Sequence, residues 1–103
     1  MIAAKTLFDE LQRRGLYLAT AESLTGGMVG EIFTRIPGAS KVYAGGIVAY
    51  NNEIKHNVLG VSAELLADHG AVSREVADAM AERCRSLMGV DLALATTGVA
   101  GPA

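Results

Sequence analysis

The feature that most constrains this chain is an alternation of element types. Three short apolar segments, at residues 16–21, 42–50 and 92–95, are separated by stretches whose apolar residues recur at helical spacing. Ala4, Leu7, Phe8 and Leu11 mark one face of a first helix, with Gly15 placed as its left-handed cap. Met28, Val29, Ile32, Phe33 and Ile36 form a second stripe, stopped by Pro37-Gly38. Asn51-Asn52 can cap a short helix through Ile54, Val58 and Leu59, and Ser62 and Ser73 occupy N-cap positions. After Ser73 comes the clearest helix, with Val76, Ala77, Met80, Ala81, Cys84 and Leu87 on one side. Strands alternating with helices imply an α/β fold, a three-layer α/β/α arrangement around a mostly parallel sheet. Within the second strand, Gly45-Gly46 predicts a bulge or a close backbone approach.

In such sheets ligands collect at the carboxyl ends of the strands, and here each strand runs into polar or glycine-rich sequence. The first cluster is Glu22-Ser23-Leu24-Thr25-Gly26-Gly27. Its glycines expose backbone N–H groups at the start of a helix, an environment for a phosphate or the oxyanion of acyl transfer. The alternative is that Ser23 or Thr25 merely caps that helix. The second cluster is Tyr50-Asn51-Asn52-Glu53-Ile54-Lys55. Its lysine lies one helical turn past the strand and, if desolvated, could act as a general base; the alternative is an exposed lysine on an amphipathic helix. The third cluster, Thr96-Thr97-Gly98-Val99-Ala100-Gly101-Pro102, suits close approach by a ligand, or is an ordinary turn.

Other chemistries find no support. The sequence has no G-x-x-x-x-G-K-[ST], G-x-G-x-x-G or G-x-S-x-G, and no Ser-x-x-Lys. His56 and His69 lack partners at metal-ligand spacing, so each is expected on the surface or at a helix end and no metal site is expected. A net charge of −2 with scattered basic residues gives no electrostatic reason to expect nucleic acid or an anionic membrane as partner. The single cysteine, Cys84, lies at helical spacing from Met80, Leu87 and Met88, which predicts a buried thiol in a reducing, cytoplasmic setting. With 103 residues, the chain is one domain at most.

The clusters in this order are more specific than any of them alone. The segments Ala21-Glu22-Ser23-Leu24-Thr25-Gly26-Gly27, Gly46-Ile47-Val48-Ala49-Tyr50-Asn51-Asn52-Glu53-Ile54-Lys55, His69-Gly70-Ala71-Val72-Ser73 and Thr97-Gly98-Val99-Ala100-Gly101-Pro102 closely resemble the CinA carboxy-terminal domain. That family includes stand-alone bacterial nicotinamide mononucleotide deamidases. The resemblance implies hydrolysis of the carboxamide of nicotinamide mononucleotide to nicotinate mononucleotide and ammonia, as part of pyridine-nucleotide salvage and without a cofactor. By the same resemblance Ser23 is the nucleophile and Lys55 its base, while Tyr50 orients the lysine or the substrate. Thr25, Gly26 and Gly27 surround the nucleophile, and Thr97 and Gly98 belong to the substrate-binding loop after the third strand. Leu24 stands where relatives often carry cysteine.

Full family domains continue through a further glycine-rich segment, two more strands that make the sheet mixed, and a closing helix that together add basic contacts to the nucleotide. The expectation is therefore a domain lacking its C-terminal third, with an incomplete sheet. Homo-oligomer formation is expected as well, since small α/β domains with an open sheet edge commonly associate. A different class of function also fits the resemblance: a nucleotide-binding or regulatory module that keeps the fold and does not catalyse.

Overall fold

Strand β1 (Leu18–Glu22) is buried along its whole length. The computed structural model, which describes residues 2–98, places it between β2 (Tyr43–Val48) and β3 (Leu92–Thr96), parallel to both, in the order β2-β1-β3. A central strand with helices on both faces has no solvent side, so its sequence reads as a short continuous run rather than an alternation.

Successive residues still point to opposite faces. On one face Leu18 joins Phe8, Leu11, Phe33 and Val42 beneath α1 (Ile2–Arg14) and α2 (Met28–Thr34). On the other, Ala19 and Ala21 pack with Leu59, Leu66, Val76, Met80 and Cys84 beneath α4 (Ala63–His69), α5 (Arg74–Met88) and the segment that follows α3 (Asn52–Asn57). The result is the expected three-layer α/β/α arrangement. Val76, Met80 and Cys84 are fully buried, and each large apolar side chain withdrawn from water contributes about 1.5–3 kcal/mol.

The predicted caps are formed. The side chains of Asn51, Ser62 and Ser73 accept hydrogen bonds from the N–H groups of Ile54, Leu65 and Val76. Several apolar assignments shift. Leu87 is half exposed, and Met88, four residues after Cys84 on the same helical row, packs against the core instead. Met28, at the first position of α2, is exposed, and the helix ends at Thr34 rather than Ile36. Ile54 and Val58 face outward while Lys55 turns in, so in α3 a lysine occupies the interior position that the apolar pattern assigned to its neighbours.

The expected glycine feature in β2 takes both forms. The register with β1 slips between Leu18 and Ala19, opposite Tyr43 and Gly45, so Ala44 is the extra residue. Gly46 and Gly30 of α2 then flank the hydrogen-bonded hydroxyls of Thr20 and Tyr43, which lie 2.6 Å apart. A Cβ at Gly30 would stand 2.4 Å from the Tyr43 hydroxyl, and one at Gly46 would stand 2.5 Å from the Thr20 hydroxyl. The two glycines thus let α2 settle onto the sheet and fix the height of the loop that enters it.

Candidate active site

Ser23 is the first residue beyond β1, and the alternation of the strand turns it toward the α3 side. Lys55 reaches the same point from α3, whose start is set by the Asn51 cap. Both side chains are 2% exposed. The Lys55 Nζ lies 3.0 Å from Ser23 Oγ and 3.0 Å from the carbonyl oxygen of Tyr50. Ser23 Oγ is itself 3.4 Å from that carbonyl.

Among the described residues no carboxylate lies within ion-pair distance of Lys55. Burial without a counter-charge pushes its pKa below the ordinary lysine value. A neutral amine can donate one N–H to the Tyr50 carbonyl and turn its lone pair toward Ser23, the arrangement a general base needs. Of the readings open to Lys55, the exposed helix lysine is thereby excluded. Tyr50 meets the lysine through its main-chain carbonyl rather than its hydroxyl, and the residue as a whole is 65% exposed.

The loop after Ser23 is built around Glu22, which sequence reasoning did not single out. Its side chain is 2% exposed on the α2 side. One carboxylate oxygen accepts from the Thr25 hydroxyl at 2.6 Å and from the N–H groups of Gly27 and Val29 at 3.1 and 2.9 Å. The other accepts from the Gly30 N–H at 2.9 Å. Burial by itself would raise this carboxyl, but the Thr25 hydroxyl and the three N–H donors together outweigh it and hold the pKa below the ordinary carboxylate range. Gly26 and Gly27 turn the chain with φ of 60° and 112°, values that favour glycine.

This arrangement corrects the expectation that the amino terminus of the helix is free to hold an anion. Glu22 already fills it. Nor do Ser23 or Thr25 cap the helix: its N-cap residue is Gly27, with no side-chain bond. The Gly26 and Met28 N–H groups donate within the turn, to the carbonyls of Ser23 and Thr25. Among the described residues, the N–H groups of Leu24 and Thr25 are the donors in this loop without a partner. They directly follow the serine.

In the third cluster the two threonines divide. Thr96, in register with Glu22, places its hydroxyl 2.8 Å from the Thr25 hydroxyl and 3.3 Å from the Ser23 N–H. Thr97 faces the other way, and its hydroxyl donates to the Ala71 carbonyl, tying the third loop to the turn before α5. Gly98 lies under Leu24, with 3.3 Å between its ideal Cβ position and the leucine side chain. Val99, Ala100, Gly101 and Pro102 lie outside the described residues. Glu22 and Thr96 left one faint mark in the sequence: in parallel strands, the last residues of β1 and β3 face the same helix.

The model of the CinA C-terminal domain matches residues 2–103. A CinA-like protein of Gemmatimonas aurantiaca is 52% identical over 96% of this chain, which covers 23% of that relative. The chain thus spans about a quarter of the length of the curated relatives it matches. The crystal structure of the competence damage-inducible protein A from Klebsiella pneumoniae superposes with a TM-score of 0.93 at 38% identity, over 97% of this chain and 62% of that one. The competence/damage inducible protein CihA from Agrobacterium tumefaciens gives a TM-score of 0.92 at 40% identity, over 97% and 61%. With its fold and its sequence both matching along nearly the whole chain, the chain belongs to the CinA C-terminal domain family.

Proposed function

We propose that this domain is an amidohydrolase that converts nicotinamide mononucleotide to nicotinate mononucleotide and ammonia. The observation that carries the reading is the buried contact of 3.0 Å between Lys55 Nζ and Ser23 Oγ, with no carboxylate partner for the lysine among the described residues. An amide is a weak electrophile with a poor leaving group, so its hydrolysis needs an activated nucleophile, a site for the oxyanion and a proton for the departing nitrogen. The identity of the amide comes from the family resemblance, and the chemistry from the residues.

In this mechanism Lys55 takes the hydroxyl proton as Ser23 Oγ attacks the carboxamide carbon. The carbonyl oxygen becomes an oxyanion held by the Leu24 and Thr25 N–H groups. Lys55 then gives its proton to the amide nitrogen, the C–N bond breaks and ammonia leaves an ester on Ser23. Water next attacks that ester, with Lys55 taking its proton and returning it to Oγ as the carboxylate departs. The Tyr50 carbonyl holds the amine in line throughout.

Ammonia release from nicotinamide mononucleotide, followed beside Ser23→Ala and Lys55→Met, tests the reading. Removal of the serine should abolish release, and removal of the base should lower it by about 10²–10⁴. Turnover unchanged in Ser23→Ala would overturn the assignment. Binding of the nucleotide without any turnover by the parent protein would favour a regulatory module instead.

A further inference from the structure

We propose that Thr96 is a positioning residue for Ser23, and that it acts as the last link of a hydrogen-bond relay that starts at the Glu22 carboxylate. The inference rests on the Ser23–Lys55 reading and extends it to residues that touch neither reacting atom.

The direction of the relay follows from donor and acceptor inventory. The Glu22 carboxylate is held ionised and can only accept, so the 2.6 Å contact uses the single hydroxyl proton of Thr25. The 2.8 Å contact between Thr25 and Thr96 must then use the Thr96 proton, with Thr25 accepting. Having spent its proton, Thr96 offers only lone pairs, and the Ser23 N–H donates to one at 3.3 Å as well as to the Thr96 carbonyl at 3.1 Å. Every donor is assigned, and each hydroxyl is polarised toward a fixed negative charge.

The relay connects two faces of the sheet. Glu22 and Ser23 are adjacent in sequence, yet Glu22 points toward α2 and Ser23 toward Lys55. Among the described residues, no side chain on the Lys55 side other than the amine itself hydrogen-bonds Ser23. Thr96 therefore fixes the peptide that carries the nucleophile from behind, while leaving its Oγ free to move its proton. A misplacement of the order of 1 Å in a reacting group costs up to about a hundredfold in rate.

The test is the rate at which a fluorophosphonate probe labels Ser23, a readout that does not depend on the substrate. It compares the parent protein with Thr96→Val and Thr96→Ser, with circular dichroism checking the fold. Valine keeps the shape and deletes the hydroxyl; serine keeps the hydroxyl and deletes the methyl. The expected result is a fall of about tenfold to a hundredfold in the maximal labelling rate for Thr96→Val. Half-saturation should stay unchanged, and Thr96→Ser should label at nearly the parent rate. Should Thr96→Val fail to fold, Thr96→Ala beside Thr96→Ser deletes the same hydroxyl without a branched side chain and must give the same pattern. Equal labelling by the valine variant, or equal loss in the serine variant, would overturn the proposal and leave the dyad standing. A parent protein whose Ser23 does not react would instead remove the dyad, and this inference with it.

Discussion

Gly30→Ala is the substitution whose outcome the packing of α2 fixes most sharply. The added Cβ would lie 2.4 Å from the Tyr43 hydroxyl and 3.3 Å from the Thr20 hydroxyl. Neither can retreat easily, because they hydrogen-bond each other at 2.6 Å and the tyrosine ring stacks on Phe33 with centroids 6.0 Å apart. Overpacking of this kind costs about 1–3 kcal/mol, offset by the 0.5–1 kcal/mol or so that alanine gains over glycine in a helix. The net expectation is a loss of about 1–2 kcal/mol. In a Tyr43→Phe background the nearest obstacle is gone, and what remains begins at 3.3 Å. There the same change should be neutral or should stabilise by up to about 1 kcal/mol, although Tyr43→Phe alone costs about 1 kcal/mol for the hydroxyl bond lost by buried Thr20. Urea unfolding of the four proteins of this double-mutant cycle, followed by circular dichroism, measures the coupling directly. A thermal scan should show shifts of about 4–8 °C per kcal/mol for a domain of this size. If Gly30→Ala had the same effect in both backgrounds, the steric account of this glycine would be wrong.

Two further expectations concern charge. Because burial lowers the Lys55 pKa, the unfolded chain binds a proton that the folded one does not between the folded value and 10.5. Stability should therefore rise with pH across that window. Lys55→Met should abolish this slope and be more stable than the parent near neutrality, and a stability difference independent of pH would count against it. For Glu22 the folded pKa is also depressed, so its contribution is complete above the ordinary value of 4.5 and lost as pH falls through the folded value. Glu22→Gln should cost about 3 kcal/mol at neutral pH, as charged hydrogen bonds are lost. That gap should narrow in acid, as equilibrium unfolding at several pH values would show.

Much of the architecture was legible because it depends on patterns that one sequence carries. The helical stripe of Val76, Met80 and Cys84 and the cap residues Asn51, Ser62 and Ser73 each rest on local rules, and those elements lie where the rules put them. The interior of the site was harder to read. Lys55 sits among Ile54, Val58 and Leu59, and apolar spacing alone gives no reason for the cation to be the inward residue. Its burial depends on Ser23 and the Tyr50 carbonyl, one of them 32 residues away. Glu22 and Thr96 stood in the strand-end clusters but received no role of their own, for a related reason: their partners lie across a strand pair and over a helix start, which no local period encodes. Gly30 drew no reading from the sequence, because the Tyr43 hydroxyl that requires it comes from another strand.

The placement of the dyad within the strand order bears on which fluctuations matter. Ser23 follows the central strand, clamped on both sides, whereas Lys55 follows β2, which is paired on one side only among the described strands. Local opening in proteins is graded, and peripheral strands exchange their amide hydrogens through openings smaller than global unfolding. Fraying of β2 with α3 would carry away the amine and the Tyr50 carbonyl together, leaving the serine seated but inert. Under the proposed mechanism, the fraction of molecules competent for chemistry is set by the weaker foldon, and deuterium uptake in residues 43–57 should report on it more faithfully than the melting temperature of the whole domain.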